Sequence, residues 1–97
     1  MAKTALVTGG SRGIGFGIAT ALAAEGWNIV INGVRPEEAV TEPMEKLRAQ
    51  GVAVAYARGD IGSVEGRTAI VAAANAAAGG CINLLVNNAG VAPKVRA

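Results

Sequence analysis

Residues 4–15 read TALVTGGSRGIG, an apolar, strand-like run that turns at once into a glycine-rich loop. A helix-like stretch follows and ends at Gly26, a common C-terminal stop. The first N–H groups of a helix have no intrahelical partner, and the helix dipole adds positive potential there. Glycine is needed where φ is positive, or where a ligand or strand comes too close for a Cβ. The stretch therefore predicts an anion site suited to a pyrophosphate.

Two well-known phosphate motifs do not fit this loop. No Gly-Lys-Ser/Thr follows the glycines, so the loop is not that of the P-loop nucleotide triphosphatases. A G-x-G-x-x-G pattern starting at Gly13 would need its last glycine at Ile18. The pattern present is T-G-x-x-x-G-x-G from Thr8. A tight turn without a ligand stays open as an alternative, but the position between an apolar strand and a helix favours a ligand site.

Strand-like and helix-like segments alternate along the chain. Apolar runs at residues 4–8, 28–32, 52–56 and 82–86 predict four strands, and three of them are apolar enough to be buried on both faces of a parallel sheet. Helices are expected from Gly15 to Gly26, in residues 36–50, and from an N-cap at Ser63 to Ala78. Because proline breaks a helix interior, we expect the second helix to begin with Pro43.

The order β-α-β-α-β-α-β without a long linker predicts the α/β class. We expect part of a doubly wound (Rossmann) parallel sheet with strand order 3-2-1-4.

Composition and charge exclude several classes of function. Of 97 residues, 52% are hydrophobic, and nine scattered basic residues against seven acidic ones give a net charge of +2, which argues against a nucleic-acid binder. With no histidine and one cysteine, Cys81, no metal site is expected. The lone cysteine favours a reducing compartment, and no leader or membrane-length apolar run is present. We expect a cytoplasmic protein without membrane partners.

Three segments of the chain, taken together, resemble motifs of the short-chain dehydrogenase/reductase family. They are the loop at residues 8–15, Asp60-Ile61 after the third strand, and the sequence NNAG at residues 87–90. The family resemblance implies a bound nicotinamide dinucleotide, with Asp60 and Ile61 at the adenine ring and the NNAG segment at the ribose side. Asp60 could instead be only a turn residue or helix cap, and the two asparagines could only bridge strand ends. The cofactor-binding residues predicted in this way are Gly9, Ser11, Arg12, Gly13, Ile14, Gly15, Arg35, Asp60, Ile61, Asn88, Ala89 and Gly90.

The charges near the second strand bear on the choice of cofactor. Sites for NAD place an acid about 20 residues beyond the glycine motif, whereas sites for NADP use an arginine. Residues 32–35 read NGVR and contain no acid. Arg35, together with Arg12 in the glycine loop, can bind a 2′-phosphate through paired hydrogen bonds. We predict NADP(H) in preference to NAD(H), with a solvated loop charge as the alternative for Arg12.

The chemistry that the resemblance implies is hydride transfer between nicotinamide and a carbonyl or alcohol, carried out by an Asn-Ser-Tyr-Lys set. Tyr56 is the only tyrosine, and Asp60 stands where a Tyr-x-x-x-Lys motif would need lysine. We therefore assign no catalytic residue and expect Tyr56 in the core or at a strand edge.

Residues 1–97 are thus expected to be the N-terminal, cofactor-binding part of a domain whose catalytic part lies in further polypeptide or a second chain. The fourth strand would otherwise be an exposed apolar edge. The resemblance is nearest to 3-oxoacyl-[acyl-carrier-protein] reductases and implies a small carbonyl substrate and a homo-oligomer. The rival hypothesis is a non-catalytic dinucleotide-binding or structural module complete at residue 97.

Overall fold

The computed structural model describes residues 3–10, 13–60, 62–77 and 82–86, which form a four-stranded parallel sheet with helices between the strands. In chain order the elements are β1 (Thr4–Thr8), α1 (Gly13–Ala24), β2 (Asn28–Gly33), a 3₁₀ turn (Glu37–Val40), α2 (Thr41–Arg48), β3 (Val54–Arg58), α3 (Val64–Ala77) and β4 (Leu84–Val86). The sheet order is β3-β2-β1-β4, which confirms the predicted α/β architecture and strand order. Strand β1 lies inside this sheet and is buried along its whole length.

The outer strands begin two residues later than predicted, and a hydrogen bond to a side-chain amide lies just before each of them. β3 starts at residue 54 instead of 52, and Asn28 Oδ1 accepts the N–H of Ala53 at 3.0 Å just before it. β4 starts at residue 84 instead of 82, and Asn83 Oδ1 accepts the N–H of Thr4 at 2.9 Å. Pairing with the neighbouring strand, which residue type alone does not reveal, therefore determines where each strand begins.

The helices differ from the prediction mainly at their first residues. α1 begins at Gly13 and not after Gly15. α2 begins at residue 41, so Pro43 is its third residue and not its first; this position also lacks an intrahelical N–H partner and tolerates proline. The N-cap of α3 is confirmed, since Ser63 Oγ accepts the N–H of Gly66 at 2.8 Å. Gly26 follows α1 with φ of 92°, the predicted stop.

Two hydrophobic layers hold the sheet between helices. On one face, Ile29 and Ile31 of β2 pack with residues of β1, α1 and α2. On the other face, Val30 and Leu6 pack with Ile70 of α3. Because successive side chains of a strand point to opposite faces, β1 and β2 contribute to both layers. This two-sided burial explains their near-continuous apolar sequence.

The loop between β3 and α3 lies directly on the first turns of α3, and two glycines allow that contact. A Cβ on Gly59 would come within 2.7 Å of Ile70 Cγ1, and a Cβ on Gly66 would overlap the carbonyl oxygen of Asp60. Both glycines are therefore required by close packing and not by a left-handed backbone.

Substitution of two helical glycines should change stability in opposite directions. Gly66→Ala should lower the free energy of unfolding by about 1–3 kcal/mol, because the new methyl group overlaps the loop backbone. Gly17→Ala, at an exposed position of α1 where the added Cβ meets no other described residue beyond its own helix within 4 Å, should raise it by about 0.5–1 kcal/mol. Urea unfolding of the two variants measures both changes. A stabilising Gly66→Ala would show that the loop does not rest on the helix as described.

Tyr56 is half-buried in β3, in agreement with the predicted core or strand-edge position. Its hydroxyl donates a hydrogen bond of 2.7 Å to the carbonyl oxygen of Arg35. Burial raises the pKa of the phenol above 10.0, although the nearby guanidinium groups of Arg35 and Arg58 act in the opposite direction. The bond ties the edge strand to the loop that follows β2.

The raised pKa of Tyr56 predicts a loss of stability at high pH. The folded state holds the phenol proton more tightly than the unfolded state, so the free energy of unfolding should fall as the pH rises above about 10. Tyr56→Phe should lack this Tyr56-dependent fall, and should cost about 0.5–1.5 kcal/mol at neutral pH through the lost hydrogen bond. Urea unfolding between pH 8 and 11 compares the two proteins. Parallel curves for them would contradict the assignment.

Candidate functional site

Three loops meet at the carboxyl edge of the sheet, because parallel strands end on the same side. The register pairs Thr8 of β1 with Asn32 of β2, and Gly33 of β2 with Arg58 of β3. The glycine loop after β1, the loop after β2 and the loop after β3 are therefore neighbours. In open parallel sheets this edge is where ligands bind. The predicted residues Gly9, Gly13, Ile14, Gly15, Arg35 and Asp60 all lie in these loops or in the first turn of α1.

The glycine loop uses its glycines in two different ways. Gly9 and Gly13 both have φ of 64°, a left-handed conformation that favours glycine. Gly10 has a different role: an added Cβ would lie 2.9 Å from both Ile31 Cγ2 and the carbonyl oxygen of Val7. The sequence prediction did not include Gly10, because its contact with β2 is long-range. Predicted residues Ser11 and Arg12 lie outside the described residues.

The first turn of α1 presents open space and apolar surface. A Cβ on Gly13 would have no atom within 4 Å among the described residues. Ile14, the next residue, is 77% exposed although it is aliphatic, whereas Gly15 is buried against the sheet. The arrangement leaves room for a ligand against the N-terminus of α1.

Two arginines lie at the loop that follows β2. The carbonyl oxygen of Arg35 accepts the hydroxyl of Tyr56, and Arg58 Nε donates to the carbonyl oxygen of Val34 at 3.1 Å. Both guanidinium groups are close enough to Tyr56 to lower the pKa of its phenol. The first acid after β2 is Glu37, within the 3₁₀ turn. The sequence prediction did not include Arg58, although a basic residue at the end of an edge strand was the available signal.

Asp60 is exposed in the loop after β3, and its carboxylate also shapes that loop. Asp60 Oδ1 accepts the N–H of Gly62 at 2.8 Å, and its carbonyl oxygen accepts the N–H of Ser63 at 3.1 Å. The turn role considered as an alternative is therefore present in the structure. Its contact with an adenine ring stays a prediction, and Ile61 lies outside the described residues.

A buried amide, which the sequence prediction treated only as a strand residue, joins two of the loops. Asn32 Nδ2 donates to the carbonyl oxygens of Ala57 and Gly59 at 2.9 and 3.1 Å. The Asn32 carbonyl oxygen accepts the N–H of Gly10 at 3.2 Å. The signal available in the sequence was an asparagine within an otherwise aliphatic run.

The last of the three predicted segments, NNAG at residues 87–90, comes after β4 in the sequence. Val86 pairs with Val7 of β1, and its carbonyl oxygen accepts the hydroxyl of Thr8 at 3.2 Å. The predicted residues Asn88, Ala89 and Gly90 come after this strand and lie outside the described residues.

The described part of the chain holds no group of three or more potential metal-binding side chains (His, Cys, Asp or Glu). Among its helices, none combines the length and the apolar character needed to cross a membrane.

The chain is similar to several oxidoreductases of known identity. It is 42% identical over 89 residues to a D-beta-hydroxybutyrate dehydrogenase of Cupriavidus necator, covering 92% of this chain and 34% of the relative. A 3-oxoacyl-[acyl-carrier protein] reductase from Brucella melitensis, solved in complex with NAD, superposes with a TM-score of 0.83 at 46% identity, covering 93% of this chain and 34% of that one. L-sorbose reductase from Gluconobacter frateurii, solved with NADPH and L-sorbose, superposes with a TM-score of 0.83 at 36% identity, covering 92% and 34%.

Two further facts define the relationship. The chain spans about a third of the length of the curated relatives that it matches. The family model described as short chain dehydrogenase matches residues 3–97. This chain therefore belongs to the short-chain dehydrogenase family.

Proposed function

We propose that residues 1–97 form the cofactor-binding part of an oxidoreductase that uses NADP(H) in preference to NAD(H). The observation that carries the proposal is the carboxyl edge of the sheet, where left-handed glycines lead into α1 and Arg35, without a preceding acid, follows β2. The pyrophosphate is proposed to bind the N–H groups at the start of α1, because these groups and the helix dipole attract anions.

The described residues fit a dinucleotide at this edge. Because the described residues leave open space beside Gly13, a pyrophosphate can come close to the backbone there. The exposed side chain of Ile14 then offers an apolar surface to the ligand. Arg35 supplies a planar set of N–H donors suited to a 2′-phosphate. Asp60 is proposed at the adenine ring, with its second carboxylate oxygen available in addition to the one used in the turn. Gly9, Gly15, Ser11, Arg12, Ile61, Asn88, Ala89 and Gly90 complete the proposed cofactor-binding set.

The proposed reaction is hydride transfer between the nicotinamide and a carbonyl or alcohol of a small molecule. The hydroxybutyrate, 3-oxoacyl and sorbose enzymes among the similar proteins act on such groups by their names. A 3-oxoacyl thioester is the proposed substrate. We assign no catalytic residue to this chain, and propose that the serine and the Tyr-x-x-x-Lys motif belong to the rest of the full-length protein.

The edge formed by β4 and α3 supports the proposal that further polypeptide packs there. Leu85 is 59% exposed and Val71 is 52% exposed, and both line an apolar cleft with Leu6 and Ile70. An apolar edge strand of this kind is normally covered in a native protein. We propose that the catalytic part of the same domain covers it. A homo-oligomer and a cytoplasmic location stay predictions from the sequence. The similarity to named oxidoreductases does not favour a module that is complete at residue 97.

The choice of cofactor is tested by titrating NADPH and NADH into the full-length protein. The expected result is a lower dissociation constant for NADPH. Tighter binding of NADH would refute the preference while leaving the dinucleotide site in place. Binding of neither would refute the proposed function.

Substitution of Arg35 tests its contact with the 2′-phosphate. Arg35→Ala should raise the dissociation constant of NADPH about 10- to 100-fold, because a charge-assisted hydrogen bond contributes about 1.5–3 kcal/mol, whereas that of NADH should change by less than about twofold. Lys46→Ala removes a cation from the exposed face of α2, where it pairs with Glu42 at 3.5 Å, and should change neither constant. Equal weakening of both cofactors by Arg35→Ala would contradict a phosphate-specific role.

A further inference from the structure

Asn32 is a buried polar residue in the strand that carries much of the core. Its relative exposure is 2%, and its neighbours Val30 and Ile31 are equally buried. Of the buried polar side chains that the structure describes, only this one carries an amide. Burial of an amide is unfavourable unless it is hydrogen-bonded, so the hydrogen bonds of Asn32 must offset the free-energy cost of burying its side chain.

The bonds of Asn32 reach two loops of the site at once. Both Nδ2 protons are used, toward Ala57 at 2.9 Å and Gly59 at 3.1 Å, at the point where β3 passes into the loop that carries Asp60. The main-chain carbonyl oxygen of Asn32 accepts a hydrogen bond from the N–H of Gly10, in the glycine loop, at 3.2 Å. One buried residue therefore makes hydrogen bonds to both loops, through its side chain to the loop after β3 and through its main chain to the glycine loop.

The two loops depend on such an anchor because their contacts are made by glycine. A Cβ at Gly10 would collide with Ile31, and a Cβ at Gly59 would collide with Ile70. Glycine backbone is conformationally permissive, so close packing alone does not fix its direction. The main-chain bond from Gly59 to the carbonyl oxygen of Gly33, at 2.9 Å, extends the β2–β3 pairing by one step. The amide of Asn32 adds two bonds beside it.

We propose that Asn32 is a positioning residue of the cofactor site. Its amide fixes the loop that carries Asp60 at the end of β2, whose main chain also bonds Gly10 of the glycine loop, and so sets the width of the space for the adenosine half of the dinucleotide. This inference rests on the proposed function. Asn32 is 2% exposed, and its amide acts on the ligand site through Ala57 and Gly59.

Substitution by leucine separates the shape of Asn32 from its hydrogen bonds. Leucine has a similarly branched side chain but no donor, so Asn32→Leu leaves the carbonyl oxygens of Ala57 and Gly59 without a partner. Ile29→Ala is the matched control, since Ile29 is 1% exposed in the same strand but lies at the opposite end from both loops. It should lower stability through a cavity without moving either loop.

The experiment measures binding of two cofactor fragments to the full-length protein by calorimetry. In Asn32→Leu the dissociation constant of adenosine 5′-monophosphate should rise about tenfold, whereas that of nicotinamide mononucleotide should stay within about twofold. In Ile29→Ala both constants should equal those of the wild type, at a temperature where circular dichroism shows each variant folded. Amide hydrogen exchange at Gly59 should be faster in Asn32→Leu only.

Each outcome bears on the inference. Unchanged adenosine monophosphate binding in folded Asn32→Leu, or an equal loss in Ile29→Ala, overturns the positioning role. If Asn32→Leu does not fold, Asn32→Thr, which keeps one donor, is measured in its place. Its dissociation constant for adenosine monophosphate should rise by less than about tenfold, and an unchanged constant would overturn the positioning role. If the wild type binds neither fragment nor NADPH, the proposed function fails and this inference with it. If only the positioning role is wrong, the wild type still binds and the variant binds equally well.

Discussion

The parallel pairing of β1 with β2 is the constraint on which the rest of the structure depends. Five residues of each strand pair in register, from Thr4 with Asn28 to Thr8 with Asn32, and both strands are buried between α1 and α2 on one face and α3 on the other. Such a buried pair can end only in loops on a common edge. The glycine loop and the loop carrying Arg35 are thus brought together by the hydrophobic burial of the two strands that precede them.

Close packing at this edge explains residues that the sequence pattern left unassigned. Gly10 lies against Ile31, and Gly59 lies against Ile70. Beyond the last residue pair of β2 and β3, the amide of Asn32 donates a hydrogen bond to the carbonyl oxygen of Gly59. Small residues allow the loops to lie close to the sheet, and the amide then fixes their direction. Close packing therefore sets how near the loops lie to the sheet, and hydrogen bonding sets their direction.

Local signals in the sequence predicted much of the fold. The glycine loop, the stop at Gly26 and the N-cap at Ser63 depend on neighbours within a few residues, and all three are found where expected. The starts of β3 and β4 were misplaced because Asn28 and Asn83 make bonds to distant strands. Gly10, Asn32 and Arg58 escaped prediction for the same reason: their contacts join elements separated by 20 residues or more.

The two sides of this edge carry opposite charges. Arg35 and Arg58 lie on the β2 side, where both influence the pKa of Tyr56, while Asp60 lies on the α3 side with one carboxylate oxygen already held by Gly62. A phosphate is attracted to the first side and repelled by the second, so an extended ligand with phosphate at one end and hydrogen-bond donors at the other can lie in only one direction. The buried amide of Asn32 donates to the carbonyl oxygens of Ala57 and Gly59, and is proposed to hold the segment that carries Arg58 and Asp60 in place beside β2. In the proposed binding mode Arg35 supplies the attraction for the 2′-phosphate, and the carboxylate of Asp60 on the other side sets the direction in which the dinucleotide lies.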